Sequence, residues 1–179
     1  MPKLCWNRLQ VEGAFADRRE FEIWNQATVP PAADDDQWSL QLPVSALEAH
    51  LPLLFEVMAP VPDQVAILGA NAAETWQLDN WGTPGNPEGW VERIDDGRLL
   101  SYEFQTLGSP PRAWLFAVSR RFPDLMLSLD FAEPVSGCVG TLSVANEEIL
   151  EDVEAETPED AEYIMREWFG MGGSASQTP

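Results

Sequence analysis

YEFQTLGSPPRAWLFAVSRRFPDLMLSLDFAEP, residues 102–134, decides how the rest of the chain is read. Leu100, Tyr102 and Phe104 alternate with polar neighbours at period two, as in a half-buried strand. Ser109-Pro110-Pro111 interrupts the alternation and opens a helix, because proline fits the first helical turn. Trp114, Leu115, Val118 and Phe122 then recur at helical spacing. Pro123-Asp124 ends that helix, and Leu125, Leu127, Leu129 and Phe131 return to period two. The stretch predicts strand, helix, strand.

Working outward, residues 4–12 alternate and end at Gly13, which predicts a first strand. Phe15, Phe21, Ile23 and Trp24 follow at helical spacing, and a helix is expected over residues 17–26. Residues 28–88 read as a long insertion. It holds a Pro- and Asp-rich loop with Asp34-Asp35-Asp36, a short helix over 45–58 capped by Ser45, a rigid Pro turn at 59–63, a helical turn at 70–76, and a turn-rich stretch from Asn80 to Pro87. Asp95-Asp96-Gly97 is a hairpin turn between strands starting at Gly89 and Leu99. Residues 137–145 predict one more strand. Thr157-Pro158-Glu159-Asp160 is a helix start, with Thr as cap, Pro at the first position and acids in the first turn. Ala161, Ile164, Met165 and Trp168 form the face by which that helix docks.

This order predicts an α+β fold, a ferredoxin-like split βαβ sandwich: an antiparallel sheet with helices on one face, a long insertion, and a C-terminal acidic helical segment. The expected organisation is a ferredoxin-like domain over 1–145, an acidic helical extension over 146–170 docked on it, and a flexible tail over 171–179.

Charge is the dominant compositional signal. Thirty acids face ten bases, a formal −20. No Lys or Arg stands between Glu20 and Glu92, nor between Phe122 and Met165. Such a chain repels nucleic-acid phosphates and is drawn to basic protein surfaces in a salt-dependent way. No apolar run is long enough to span a membrane, and the N-terminal residues read as a strand, not a signal peptide, so a cytoplasmic location is expected. Cys5 and Cys138 fit no metal or redox spacing and read as structural side chains.

Several short motifs run in order along the chain: Met1-Pro2, Cys5-Trp6-Asn7-Arg8-Leu9, Met58-Ala59-Pro60-Val61-Pro62, Asn80-Trp81-Gly82-Thr83, Phe104-Gln105-Thr106, Ser109-Pro110-Pro111, Arg121-Phe122-Pro123-Asp124-Leu125 and Phe131-Ala132-Glu133-Pro134. Together they resemble the YubB-like ferredoxin-like family of conjugative plasmids and phages. The resemblance covers residues 1 to about 140 and implies the fold and a mobile-element setting; it implies no enzymatic activity, cofactor or catalytic residue.

The residues themselves supply no catalytic arrangement. His50 is the one histidine, which excludes a specific Ser-His-Asp or Cys-His signal, and there is no phosphate-binding glycine loop. Carboxylate pairs are inevitable at this acid content and select no metal site. A non-enzymatic protein without a cofactor or metal is expected. The leading expectation is an inhibitor of a nucleic-acid-binding host defence complex (anti-CRISPR or anti-restriction) whose acidic surface imitates phosphates. Its candidate partner-binding residues are Glu147, Glu148, Glu151, Asp152, Glu154, Glu156, Glu159, Asp160 and Glu162, with Trp81 as a possible anchor or a plug beneath the insertion. The alternative is an assembly module that self-associates through its sheet, with the acids serving solubility only.

Overall fold

The computed structural model describes residues 3–26 and 53–170. Six strands form one antiparallel sheet: β1 (Leu4–Glu12), β2 (Glu88–Asp95), β3 (Leu100–Leu107), β4 (Met126–Glu133), β5 (Cys138–Ala145) and β6 (Glu148–Glu154), in the spatial order β2-β3-β1-β4-β5-β6. The helices are α1 (Phe15–Gln26), α2 (Phe55–Met58), α3 (Asp63–Ala66), α4 (Ala70–Trp81), α5 (Arg112–Arg121) and α6 (Pro158–Phe169). The molecule is an α+β fold.

Strand alternation places the core. Cys5, Leu9 and Val11 on β1 meet Leu127, Leu129 and Phe131 on β4 and Leu142 and Val144 on β5, all fully buried on one face. Against that face pack Phe21 of α1, Phe55 of α2, Trp81 of α4, and Trp114, Leu115 and Val118 of α5. Phe55 is the hub of an aromatic cluster, with ring centroids 4.7 Å from Trp114 and 5.9 Å from both Trp81 and Phe104. Such tilted and edge contacts add to the area they bury. The hairpin between β2 and β3 is built by side chains: the Asp96 carboxylate accepts from the amides of Arg98 and Leu99 at 2.8 and 2.7 Å, while Gly97 takes the left-handed conformation at φ 83°.

Residues 146–154 are not helical as expected. Asn146 and Glu147 both take positive φ, 47° and 65°, which makes a two-residue hairpin loop of the primed type. The chain therefore returns as β6 beside β5. All seven β6 residues are exposed, so no period-two burial marks the strand in sequence. The turn is held from outside: Ser119 on α5 accepts the Glu147 amide at 3.1 Å, and Arg120 donates to the Glu147 carboxylate at 2.8 Å.

Helices α1 and α5 cover one face of the sheet as expected, and α6 covers part of the other. Its Ala161, Ile164, Met165 and Phe169 pack on Ala132 and Val139, which point to the opposite side of the sheet from Phe131 and Gly140. Arg8 ties it down by donating to the Trp168 carbonyl and lying 5.6 Å from the Phe169 ring centre. Three of the four expected docking residues, Ala161, Ile164 and Met165, do pack there, but Phe169 takes the place expected for Trp168, which lines the polar groove instead. Asp34 to Asp36, Ser45, His50 and the tail over 171–179 lie outside the described residues.

The turn-rich motifs meet at one junction. Asn7 donates to Thr106 at 2.9 Å, Thr106 to the Ser109 carbonyl at 2.8 Å, Ser109 to the Gly82 carbonyl, and Thr83 to the Leu107 carbonyl at 2.9 Å. Gly82 caps α4 at φ 88°, and a Cβ there would lie 3.0 Å from the Pro110 carbonyl oxygen. The motifs from Asn7, Trp81-Gly82-Thr83, Thr106 and Ser109-Pro110 thus form a buried lock between α4 and the β3–α5 connection. None of its buried side-chain polar atoms is left without a partner, as burial requires.

Candidate acidic interaction surface

The hairpin at Asn146-Glu147 brings β6 to the sheet edge, within reach of two arginines on α5. Arg112 grips both carboxylate oxygens of Asp152 at 2.6 Å and also pairs with Glu154. Arg120 pairs with Glu147, whose carboxyl that contact holds below the usual range. Three of the expected partner-binding acids are therefore already matched within the molecule. Two more have a local task. Thr157 accepts from the Asp160 amide at 3.1 Å and donates to its carboxylate at 2.7 Å, a reciprocal cap. Glu159 beside it stabilises the helix N-terminus.

Glu148, Glu151, Glu156 and Glu162 remain. All four are exposed. Every Lys and Arg of the chain lies among the described residues, and none is in ion-pair range of these four. The nine acids do not share one face. Asp152 and Glu154 follow Leu142 and Gly140 on the α5 side, whereas Glu151 follows Ser143 on the α6 side.

Trp81 does not belong to this surface. It is fully buried, donates from Nε1 to the Ala59 carbonyl at 2.9 Å, and packs edge-on against Phe55 and Trp76. Helix α4 continues through Trp81 and only then stops at Gly82, so the indole points into the core and offers nothing to a partner.

Sequence reasoning missed the second face of the sheet. A groove of about 420 Å³ lies between it and α6, lined by Ser128, Asp130, Thr141, Ser143 and Glu151, with Trp168 at its rim. Its groups pair across strands: Ser128 with Ser143 at 2.9 Å, and Thr141 to Asp130 at 2.8 Å. Burial pushes the Asp130 carboxyl above the ordinary range, with Glu151 adding to the effect; Thr141 and Arg8 oppose it. The signal was present as polar residues alternating with the buried Leu127, Leu129 and Phe131, but its cover by α6 was not.

Cys5 is buried, and burial pushes its thiol up to about 12, far from a reactive thiolate. Among the described residues no three His, Cys, Asp or Glu side chains gather as a metal site, and no helix is long and apolar enough to cross a membrane.

No family model matches the chain, and no curated protein matches it. Among solved structures it is similar to the crystal structure of the protein api92 from Yersinia pseudotuberculosis, of family-model DUF1281. The TM-score is 0.64 at 11% identity, over 88% of this chain and 99% of that one. At that identity the likeness concerns the fold alone.

Proposed function

We propose that this chain is a non-enzymatic accessory protein of a phage or plasmid. In this reading it acts in the cytoplasm as an inhibitor, binding the basic surface of a nucleic-acid-binding defence complex of the anti-CRISPR or anti-restriction target type. The observation that carries the reading is the group Glu148, Glu151, Glu156 and Glu162. These acids sit exposed around a sheet edge, with neither an ion-pair partner among the described residues nor a capping task. Unmatched like charge in one region costs self-repulsion, and a basic partner relieves it. Strand β6 places four carboxylates over seven residues, about 23 Å. One DNA strand of that length carries roughly seven phosphates. With Asp152 and Glu154 held by Arg112, the two unmatched acids of β6, Glu148 and Glu151, offer roughly a third of that density or less, and the reading also needs Glu156 and Glu162.

A ferredoxin-like core belongs to the same proposal. What supports it is the order β2-β3-β1-β4, antiparallel throughout, with α1 and α5 on one face; β5, β6 and α6 are then additions. The motif resemblance to the YubB-like family supports the mobile-element setting. Self-association through the sheet has less support: its second face is a polar ladder partly covered by α6.

The test is the quadruple change Glu148→Lys, Glu151→Lys, Glu156→Lys and Glu162→Lys. Affinity for a captured basic partner should fall at least a hundredfold while the thermal midpoint stays within a few degrees. A variant that binds as tightly as the parent sinks the proposal.

A further inference from the structure

We infer that β6 is a docking edge, on which an extended basic and aliphatic segment of the partner adds as a seventh strand. This rests on the acidic-surface reading above and specifies its geometry. Among the described residues β6 ends the sheet, bonded to β5 on one side. The ladder fixes which backbone groups point outward. The Ala155 amide donates to Val139 on β5 at 2.8 Å. In an antiparallel ladder the bonding direction alternates along a strand. The amide and carbonyl of Val153 therefore face β5, and those of Asp152 and Glu154 face away. Among the described residues nothing in the backbone accepts or donates to them.

Natural edges are usually blunted with charged side chains, proline, bulges or covering segments. Among the described residues β6 has no lysine, proline or cover, and its charges are all acidic, which repel another acidic edge but not a basic strand. β6 is regular from Glu151 to Glu154, with its one register break nearer the hairpin. It also leaves Ile149, Leu150 and Val153 at least half exposed, at 56%, 55% and 50%. Aliphatic side chains beside open backbone groups are what an added strand covers.

Charge selects the occupant. Two β6 edges laid together would set Glu148, Glu151, Asp152 and Glu154 against the same four acids, and like charges across strands are destabilising. A second copy of this chain is thus disfavoured at this edge. A strand carrying Lys or Arg between aliphatic residues meets acids on both sides of the sheet: Asp152 and Glu154 on the α5 side, Glu151 on the α6 side. Arg112 already competes for the first two, so Arg112→Gln should tighten binding of such a segment.

The probe is an end-blocked eight-residue peptide of alternating Lys and Val, titrated calorimetrically at low salt against the full chain. Two further peptides carry N-methyl groups on one or the other set of alternate amides. If the segment adds as a strand, one N-methylated set loses binding at least tenfold and the other binds like the parent. In the complex the Asp152 and Glu154 amides gain at least tenfold protection from hydrogen exchange. Glu154→Pro, which removes one outward amide, should weaken binding well beyond Glu154→Gln. Equal binding by both N-methylated peptides, without new protection at 152 and 154, overturns strand addition and leaves the acidic-surface reading standing. No binding by any of the three also overturns it, while the Lys-substitution test above separately decides that reading.

Discussion

Trp81→Ala separates a structural tryptophan from a partner-binding one. A buried tryptophan removes about 150–250 Å² from water, and at roughly 25 cal/mol per Å² that is about 4–6 kcal/mol as an upper bound. The indole is fully buried against Phe55 and Trp76, on a helix end fixed by Gly82, so the site has little room to collapse. Losing the bond to the Ala59 carbonyl adds about 1 kcal/mol. Truncations of this kind cost about 3–5 kcal/mol in well-packed cores, and about 4 kcal/mol is expected here. For a chain of this size that lowers the midpoint by roughly 8–16 °C. Trp81→Phe, which keeps most of the contact area, should cost about 1–2 kcal/mol. Urea and thermal unfolding followed by tryptophan fluorescence and circular dichroism measure both. A loss below about 1 kcal/mol for Trp81→Ala, or a stable Trp81→Phe that no longer binds a partner, would refute the placement of this residue in the core.

Gly140→Ala should destabilise by about 1–3 kcal/mol, because its Cβ would run into the Val153 carbonyl oxygen and lie 2.9 Å from the Phe131 ring; amide exchange should rise across β5 and β6 first. Thr157→Ala removes the cap of α6 and should cost about 1 kcal/mol, read as faster exchange at Ile164 and Met165. Asp130→Asn has a pH signature. The native carboxyl is raised, so its favourable contribution is present while it is protonated and is lost as pH rises through its folded-state value. The variant should therefore melt higher than the parent at pH 7, with the gap closing below about pH 4; an equal gap at both values refutes the assignment.

Legibility in the sequence followed burial. Strands β1 and β4 and helix α5 were readable because their apolar positions alternate or recur against a single core, as Leu127, Leu129 and Phe131 do. The start of α6 was readable because Thr157 to Asp160 carry the cap chemistry within four residues. β6 was not, since none of its residues is buried, and its hairpin depends on Ser119 and Arg120 from a distant helix. Trp81 was placed among turn formers because Gly82-Thr83-Pro84 follow it, yet the helix stops only after it. The acidic candidates were readable as charge. Which of them are matched by Arg112 and Arg120 depended on where β6 lies.

The central claim is that an unmatched acidic edge engages a basic, nucleic-acid-binding surface. The most direct measurement is capture of partners by the tagged chain from nuclease-treated bacterial lysate, followed by elution with duplex DNA or RNA at low salt, beside the quadruple Lys variant. The account predicts a nucleic-acid-binding complex that the parent holds, nucleic acid displaces, high salt releases and the variant fails to capture. A complex that nucleic acid does not displace, or that the variant holds equally well, contradicts it.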